Sequence, residues 1–144
     1  MAPSHPARQR RSTGEPELWI AIVDDDRLTR HSLARSLRLS GINVKTFASA
    51  EAYLGRSGPG EPRCLVLDVN LKGGMSGIEL YECLSSGGEP PPIIFITGHD
   101  EISPTDTASL PGSCVCLRKP VDTNVLLSLV LSWYTNTPAD PLDP

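Results

Sequence analysis

The 144-residue chain has no apolar run approaching the ~20 residues needed to cross a bilayer, and its N-terminus lacks the apolar core of a signal peptide. The expectation is a cytoplasmic protein without membrane contact. There is no basic excess either: a net charge of -4 gives no electrostatic footprint for nucleic acid, so DNA binding by this chain alone is not expected. The four cysteines, Cys64, Cys83, Cys114 and Cys116, form no CxxC pair and have no partnering histidine cluster. Each lies in or beside an apolar run, where a free thiol behaves as a small buried hydrophobe, so reduced structural cysteines are expected rather than zinc or a disulfide.

What the chain does contain is one domain's worth of alternating apolar runs and helical patterns, long enough to bury roughly two-thirds of its extended surface. Residues 1–16, rich in proline and arginine and almost free of apolar side chains, read as a disordered tail, as do residues 136–144. Between them a single folded unit is expected over 17–135. Its first strand is Leu18 to Val23, stopping at Asp24-Asp25-Asp26, and an amphipathic helix with Leu28, Leu33 and Leu37 comes next, up to Gly41. Ile42 to Phe47 reads as a second strand, and Ser49 caps a short helix through Leu54.

The central run Arg63 to Asp68 suits a strand buried on both faces and ends abruptly in a carboxylate. A glycine-rich loop leads to a helix beginning at Ser76, then come a strand from Ile93 to Thr97, a fifth strand from Cys114 to Leu117, and a last helix from Val121 to Tyr134 with Val125, Leu126, Leu129, Val130 and Trp133 on its stripe. The segment between the last two strands is a poor helix former, because Pro104 fits only a first turn and Pro111 stops any helix begun there within two turns.

Strands alternating with helices imply an α/β fold with a parallel sheet covered on both faces. All carboxyl ends then share one edge, where open α/β sheets place their chemistry. Gathered there are Asp24, Asp25 and Asp26, then Asp68, then Thr97-Gly98, then Lys119-Pro120. Clustered carboxylates call for a hard divalent cation such as Mg²⁺. A carboxylate can also attack phosphorus, and a transferring phosphoryl group wants the ammonium of Lys119 and the hydroxyl of Thr97 on its other oxygens. Taken singly, each residue has a plainer reading: helix-capping charge for the aspartates, strand propensity for Thr97, a solvated lysine before a turn for Lys119.

The combination Ile22-Val23-Asp24-Asp25-Asp26, Leu67-Asp68-Val69-Asn70-Leu71, Met75-Ser76-Gly77-Ile78-Glu79-Leu80, Ile96-Thr97-Gly98-His99 and Lys119-Pro120 resembles the receiver domain of two-component response regulators. Residues 49–54 and 96–99 are similar to the FixJ-like regulators in particular. The resemblance implies a doubly wound, five-stranded parallel sheet of order 2-1-3-4-5 flanked by helices, a flavodoxin-like order. It implies that Asp68 accepts a phosphoryl group from a histidine kinase or phosphotransfer protein. Asp25, Asp68 and the Asn70 carbonyl would ligate Mg²⁺ and Asp24 would act through water, while Thr97 and Lys119 hold phosphoryl oxygens and Gly98 leaves room for them. No enzyme activity is implied beyond slow self-phosphorylation and self-dephosphorylation at Asp68. Partners would be an effector protein or an output domain outside this sequence, and a phosphorylation-dependent dimer.

The sequence departs from that pattern in three places. The loop after Asp68 is one residue longer than usual, with Lys72-Gly73-Gly74 where Pro-Gly is common; Cys116 replaces an aromatic three residues before Lys119; and prolines bound the segment around 104–111. No helix-turn-helix comes after the last helix, which implies a stand-alone receiver or a chain cut before its effector. Two alternatives stay open: a phosphorylation-independent interaction domain, and a haloacid-dehalogenase-like phosphatase in which Asp24 and Asp26 form a DxD motif.

Overall fold

A computed structural model describes residues 18–57, 60–98 and 115–134. The expected tails, the proline-bounded segment, His99 and Cys114 lie outside the described residues. Among the described residues nine elements run in order: β1 (Ile20–Val23), α1 (Arg27–Leu39), β2 (Val44–Phe47), α2 (Ala50–Leu54), β3 (Cys64–Asp68), α3 (Gly77–Ser86), β4 (Ile93–Thr97), β5 (Val115–Arg118) and α4 (Thr123–Tyr134). The strands form one sheet of order β2-β1-β3-β4-β5, parallel throughout.

Because side chains alternate across a strand, each inner strand feeds two cores. Ile20 and Ile22, Cys64 and Val66, and Ile94 and Ile96 point to one face, where Leu33, Ala34 and Leu37 of α1 and Leu126 and Val130 of α4 cover them. Ala21 and Val23, Leu65 and Leu67, and Ile93 and Phe95 point to the other, against Ala50 and Tyr53 of α2 and Leu80 of α3. Burial on both faces is why β1, β3 and β4 read as unbroken apolar runs.

Several sequence expectations need correction. Leu28 is 80% exposed, since it lies nine residues, about half a turn at 100° per residue, from Leu37, and α1 buries the Leu33, Ala34 and Leu37 face instead. Val125 is likewise exposed, one residue off the Leu126–Val130 stripe. β1 and β2 begin two residues later than expected, where the parallel pairings of Ile20 with Val44 and Cys64 begin. α4 begins at Thr123 rather than Val121, because Asp122 turns its carboxylate onto the Asn124 N–H and caps it. β5 ends one residue further on than expected, at Arg118, paired with Thr97. Cys64 is buried, but Cys83 and Cys116 are exposed thiols. Cys116 lies on an edge strand whose residues alternate between half-buried and exposed.

Candidate functional site

Backbone ladder bonds run one residue past several strands and fix the chain just where the chemistry sits. The Asp24 N–H donates to the Phe47 carbonyl at 3.1 Å, the Val69 N–H to Ile96 at 2.9 Å, and the Lys119 N–H to Thr97 at 2.8 Å. Asp68 is the last residue of β3 and is buried, Asp24 directly follows β1 and is buried, and Thr97 ends β4 and is buried. One carboxylate oxygen from each of Asp24, Asp25 and Asp68 lies within 4.8 Å of the others. Lys119 reaches in from the end of β5, its Nζ 3.3 Å from Asp68 Oδ2 and 3.5 Å from Asp24 Oδ2.

The remaining candidates surround this group. Asn70 donates its backbone N–H to Asp68 Oδ1 at 3.1 Å, which fixes the carboxylate's rotation and leaves Oδ2 to Lys119. The Thr97 hydroxyl donates to the Gly98 carbonyl at 3.1 Å. Asp26, in contrast, does not join the cluster. Its carboxylate caps α1, accepting from the Leu28 N–H at 3.2 Å and the Thr29 hydroxyl at 2.7 Å, so the DxD reading lacks its second acid.

The electrostatics arise from crowding Asp24 and Asp68 around one ammonium, with Asp25 alongside. Burial pushes the Asp24 carboxyl up from 3.8 to about 6, the negative charge of Asp68 adds to this, and the Asp26 N–H and Lys119 oppose it. Burial alone would lower Lys119, but the charges of Asp68 and Asp24 outweigh it and hold the ammonium above its ordinary value. Lys119 is therefore a fixed cation between two acids. Among the described residues no group donates a hydrogen bond to the buried Asp24 Oδ2, which has the 3.5 Å ion pair to Lys119 beside it. A buried, underused carboxylate oxygen next to two further carboxylates is a hard, all-oxygen donor set of the kind that suits a small divalent cation. The residues present fit such an ion.

The structure also gives roles to residues for which the sequence pattern implied none. Gly77 opens α3 against the β3 backbone, and a Cβ there would collide with the Asp68 carbonyl oxygen and sit 2.9 Å from Val69 Cα. A glycine at the first helical position after Ser76 was the available signal. In the loop after Asp68, the Lys72 N–H donates to Asp25 Oδ2 at 3.1 Å. Farther along, Met75 donates its N–H to Glu51 Oε2 of α2 at 2.8 Å. Nothing local in the sequence announces that contact, which spans 24 residues. Arg30 adds a bond to the Asp24 carbonyl at 2.8 Å, tying α1 to the acidic turn.

The sequence pattern described as the response regulator receiver domain matches residues 20–131. The chain is 36% identical over 121 residues to "Response regulator protein TmoT" of Ectopseudomonas mendocina, covering 84% of this chain and 54% of that protein. It is 34% identical to "Transcriptional regulatory protein FixJ" of Azorhizobium caulinodans, over 78% of this chain and 53% of that one. The chain thus spans about half the length of the curated relatives it matches. Among solved structures, response regulator StyR superimposes with a TM-score of 0.71 at 37% identity, covering 83% of this chain and 60% of the other. The crystal structure of FixJ-N gives a TM-score of 0.66 at 29% identity over 85% of this chain and 98% of that one. With the sheet order, the acidic cluster and its lysine already in place, these matches settle the family: the chain belongs to the response regulator receiver domains.

Proposed function

We propose that this receiver domain takes a phosphoryl group onto Asp68 from the phosphohistidine of a histidine kinase or phosphotransfer protein, and that the modification alters its binding to an effector. The carrying observation is Lys119 Nζ at 3.3 Å from Asp68 Oδ2, at the carboxyl end of the central strand, with Asp24 and Asp25 gathered alongside. An oxygen of Asp68 bonds to phosphorus as the donor's P–N bond breaks and the imidazole leaves, giving a mixed anhydride on the side chain. Asp25, Asp68 and the Asn70 carbonyl, with Asp24 behind, would hold Mg²⁺, which would supply positive charge to offset the carboxylates and the incoming phosphoryl group.

The chain's own groups do the remaining work. Lys119 pairs with a phosphoryl oxygen while keeping its contact to Asp24. Thr97 exchanges its bond to the Gly98 carbonyl for one to phosphoryl oxygen, and Gly98 provides space beside it. In this reading the protein is an acceptor in the cytoplasm rather than a turnover enzyme. Relatives carry names such as transcriptional regulatory protein, and they are about twice the length of the matched region, so an effect on transcription through an output partner belongs to this proposal. Among the described residues no helix is long and apolar enough to cross a membrane.

The test is incubation with Mg²⁺ and acetyl phosphate, and then intact mass. A gain of one phosphoryl group that disappears with a chelator and in Asp68→Asn is expected. Modification that survives either change would defeat the assignment.

A further inference from the structure

From Lys72 onward, the loop between β3 and α3 is fastened at three points. Lys72 donates its N–H to Asp25 Oδ2 at 3.1 Å, and Met75 donates its N–H to Glu51 Oε2 at 2.8 Å. Ser76 then closes a reciprocal capping box with Glu79, with bonds of 2.9 and 3.1 Å. Only Gly73 and Gly74 separate the first two fastenings. Gly73 adopts a left-handed φ of 82°, and Gly74 approaches Glu51 so closely that a Cβ there would lie 2.8 and 3.0 Å from the two carboxylate oxygens.

We infer that Glu51 is a positioning residue for the cation site: by holding Met75, it sets the loop so that the Lys72 N–H orients the Asp25 carboxylate. This rests on the reading of Asp25 as a cation ligand. Two consecutive glycines have wide conformational freedom, so without the Glu51 anchor the Lys72 N–H is free to leave Asp25. Asp25 would then rotate among several orientations, and only some of them present an oxygen to the cation. Outer partners that orient ligands commonly change metal affinity by about ten- to a hundredfold. The hold is charge-assisted, and the Met75 N–H is the main reason the Glu51 carboxyl lies below its usual range. The Glu51–Met75 hydrogen bond is exposed, so it adds little to the stability of the fold and its loss should appear chiefly in cation binding.

A titration of the full chain with Mg²⁺ alone, read by calorimetry, tests this without phosphorylation. Glu51→Ala is expected to weaken Mg²⁺ binding by about tenfold, with circular dichroism unchanged. Gly74→Ala, whose methyl group pushes the Glu51 side chain off Met75, is expected to do the same. Because both act through one contact, the double variant should be no weaker than either single one by more than about twofold. Glu51→Gln keeps an oxygen for the Met75 N–H and should bind within about threefold of wild type.

Several results would overturn the inference: unchanged affinity in Glu51→Ala and Gly74→Ala, additive losses in the double variant, or Glu51→Gln as weak as Glu51→Ala, which would make the effect one of charge. If Glu51→Ala does not fold, Gly74→Ala and Glu51→Gln decide. A wild-type chain that binds no Mg²⁺ defeats the cation-site reading itself, whereas binding that ignores all these variants defeats only the role of Glu51.

Discussion

Asp24 offers a perturbation whose sign and size are set directly by its surroundings. Burial beside Asp68 raises its carboxyl from 3.8 to about 6, so the metal-free fold keeps this proton to higher pH than the unfolded chain does. For a carboxyl raised on folding, the stabilising contribution is complete below the unfolded value and is lost as pH climbs through the folded one. Between about pH 4 and pH 6, therefore, this group makes the metal-free protein less stable as pH rises. Two pH units at about 1.4 kcal/mol each set a ceiling of about 3 kcal/mol. Water reaches the site past Asp25 and Lys119 and screens part of this, leaving about 1–2 kcal/mol.

Asp24→Asn removes the charge and keeps an oxygen to accept the Asp26 N–H, which is 2.8 Å away in the parent. In a chelating buffer at about pH 7.5 the variant should melt about 4–8 °C higher than wild type, taking about 4 °C per kcal/mol for a domain of this size. At about pH 4 the two should melt together, since both carry a neutral side chain there. Adding Mg²⁺ should raise the wild-type melting temperature and leave the variant nearly unchanged. The assay is thermal unfolding of both proteins across that pH range. A variant no more stable than wild type near neutral pH, or an advantage that ignores pH, would refute the reasoning.

Other substitutions separate the parts of the account. Lys119→Met removes the ammonium 3.3 Å from Asp68 and should tighten Mg²⁺ binding several-fold in calorimetry, because the cation no longer competes with a fixed positive charge. Leu126→Ala, in the core under α4, should cost about 2–5 kcal/mol by denaturant unfolding and leave the acidic cluster untouched. Gly77→Ala forces a methyl group against the Asp68 carbonyl and should lower both stability and phosphoacceptance, read by melting and by intact mass on one sample. A thiol-alkylating reagent should label Cys83 in the native protein, while Cys64, buried and with its thiol pushed up to about 12, should react only after unfolding.

The inner strands were legible because both of their faces are buried, so sequence and burial carry the same signal at Ile20–Val23, Cys64–Asp68 and Ile93–Thr97. The acids and the lysine were legible because parallel topology sends every strand's carboxyl end to one edge. Helix faces were less so. Leu28 and Val125 are apolar residues on exposed surface, and hydrophobicity alone does not reveal which stripe meets the sheet. Lys72 and Glu51 were illegible for another reason, since their contacts run through backbone N–H groups that every residue but proline carries. The Lys72-Gly73-Gly74 loop was visible in the sequence; that its Lys72 N–H reaches Asp25 was not.

The central claim is that Asp68, and no neighbouring acid, takes the phosphoryl group. Asp24, Asp25 and Asp68 each bring an oxygen within 4.8 Å of the others, so a mass gain on the intact chain does not by itself name the acceptor. Borohydride reduces an aspartyl phosphate to homoserine, and peptide mapping after phosphorylation and reduction locates the change. Homoserine at position 68 alone is expected. Homoserine at 24 or 25, or an unmodified peptide at 68 in a chain that has gained phosphate, would contradict it.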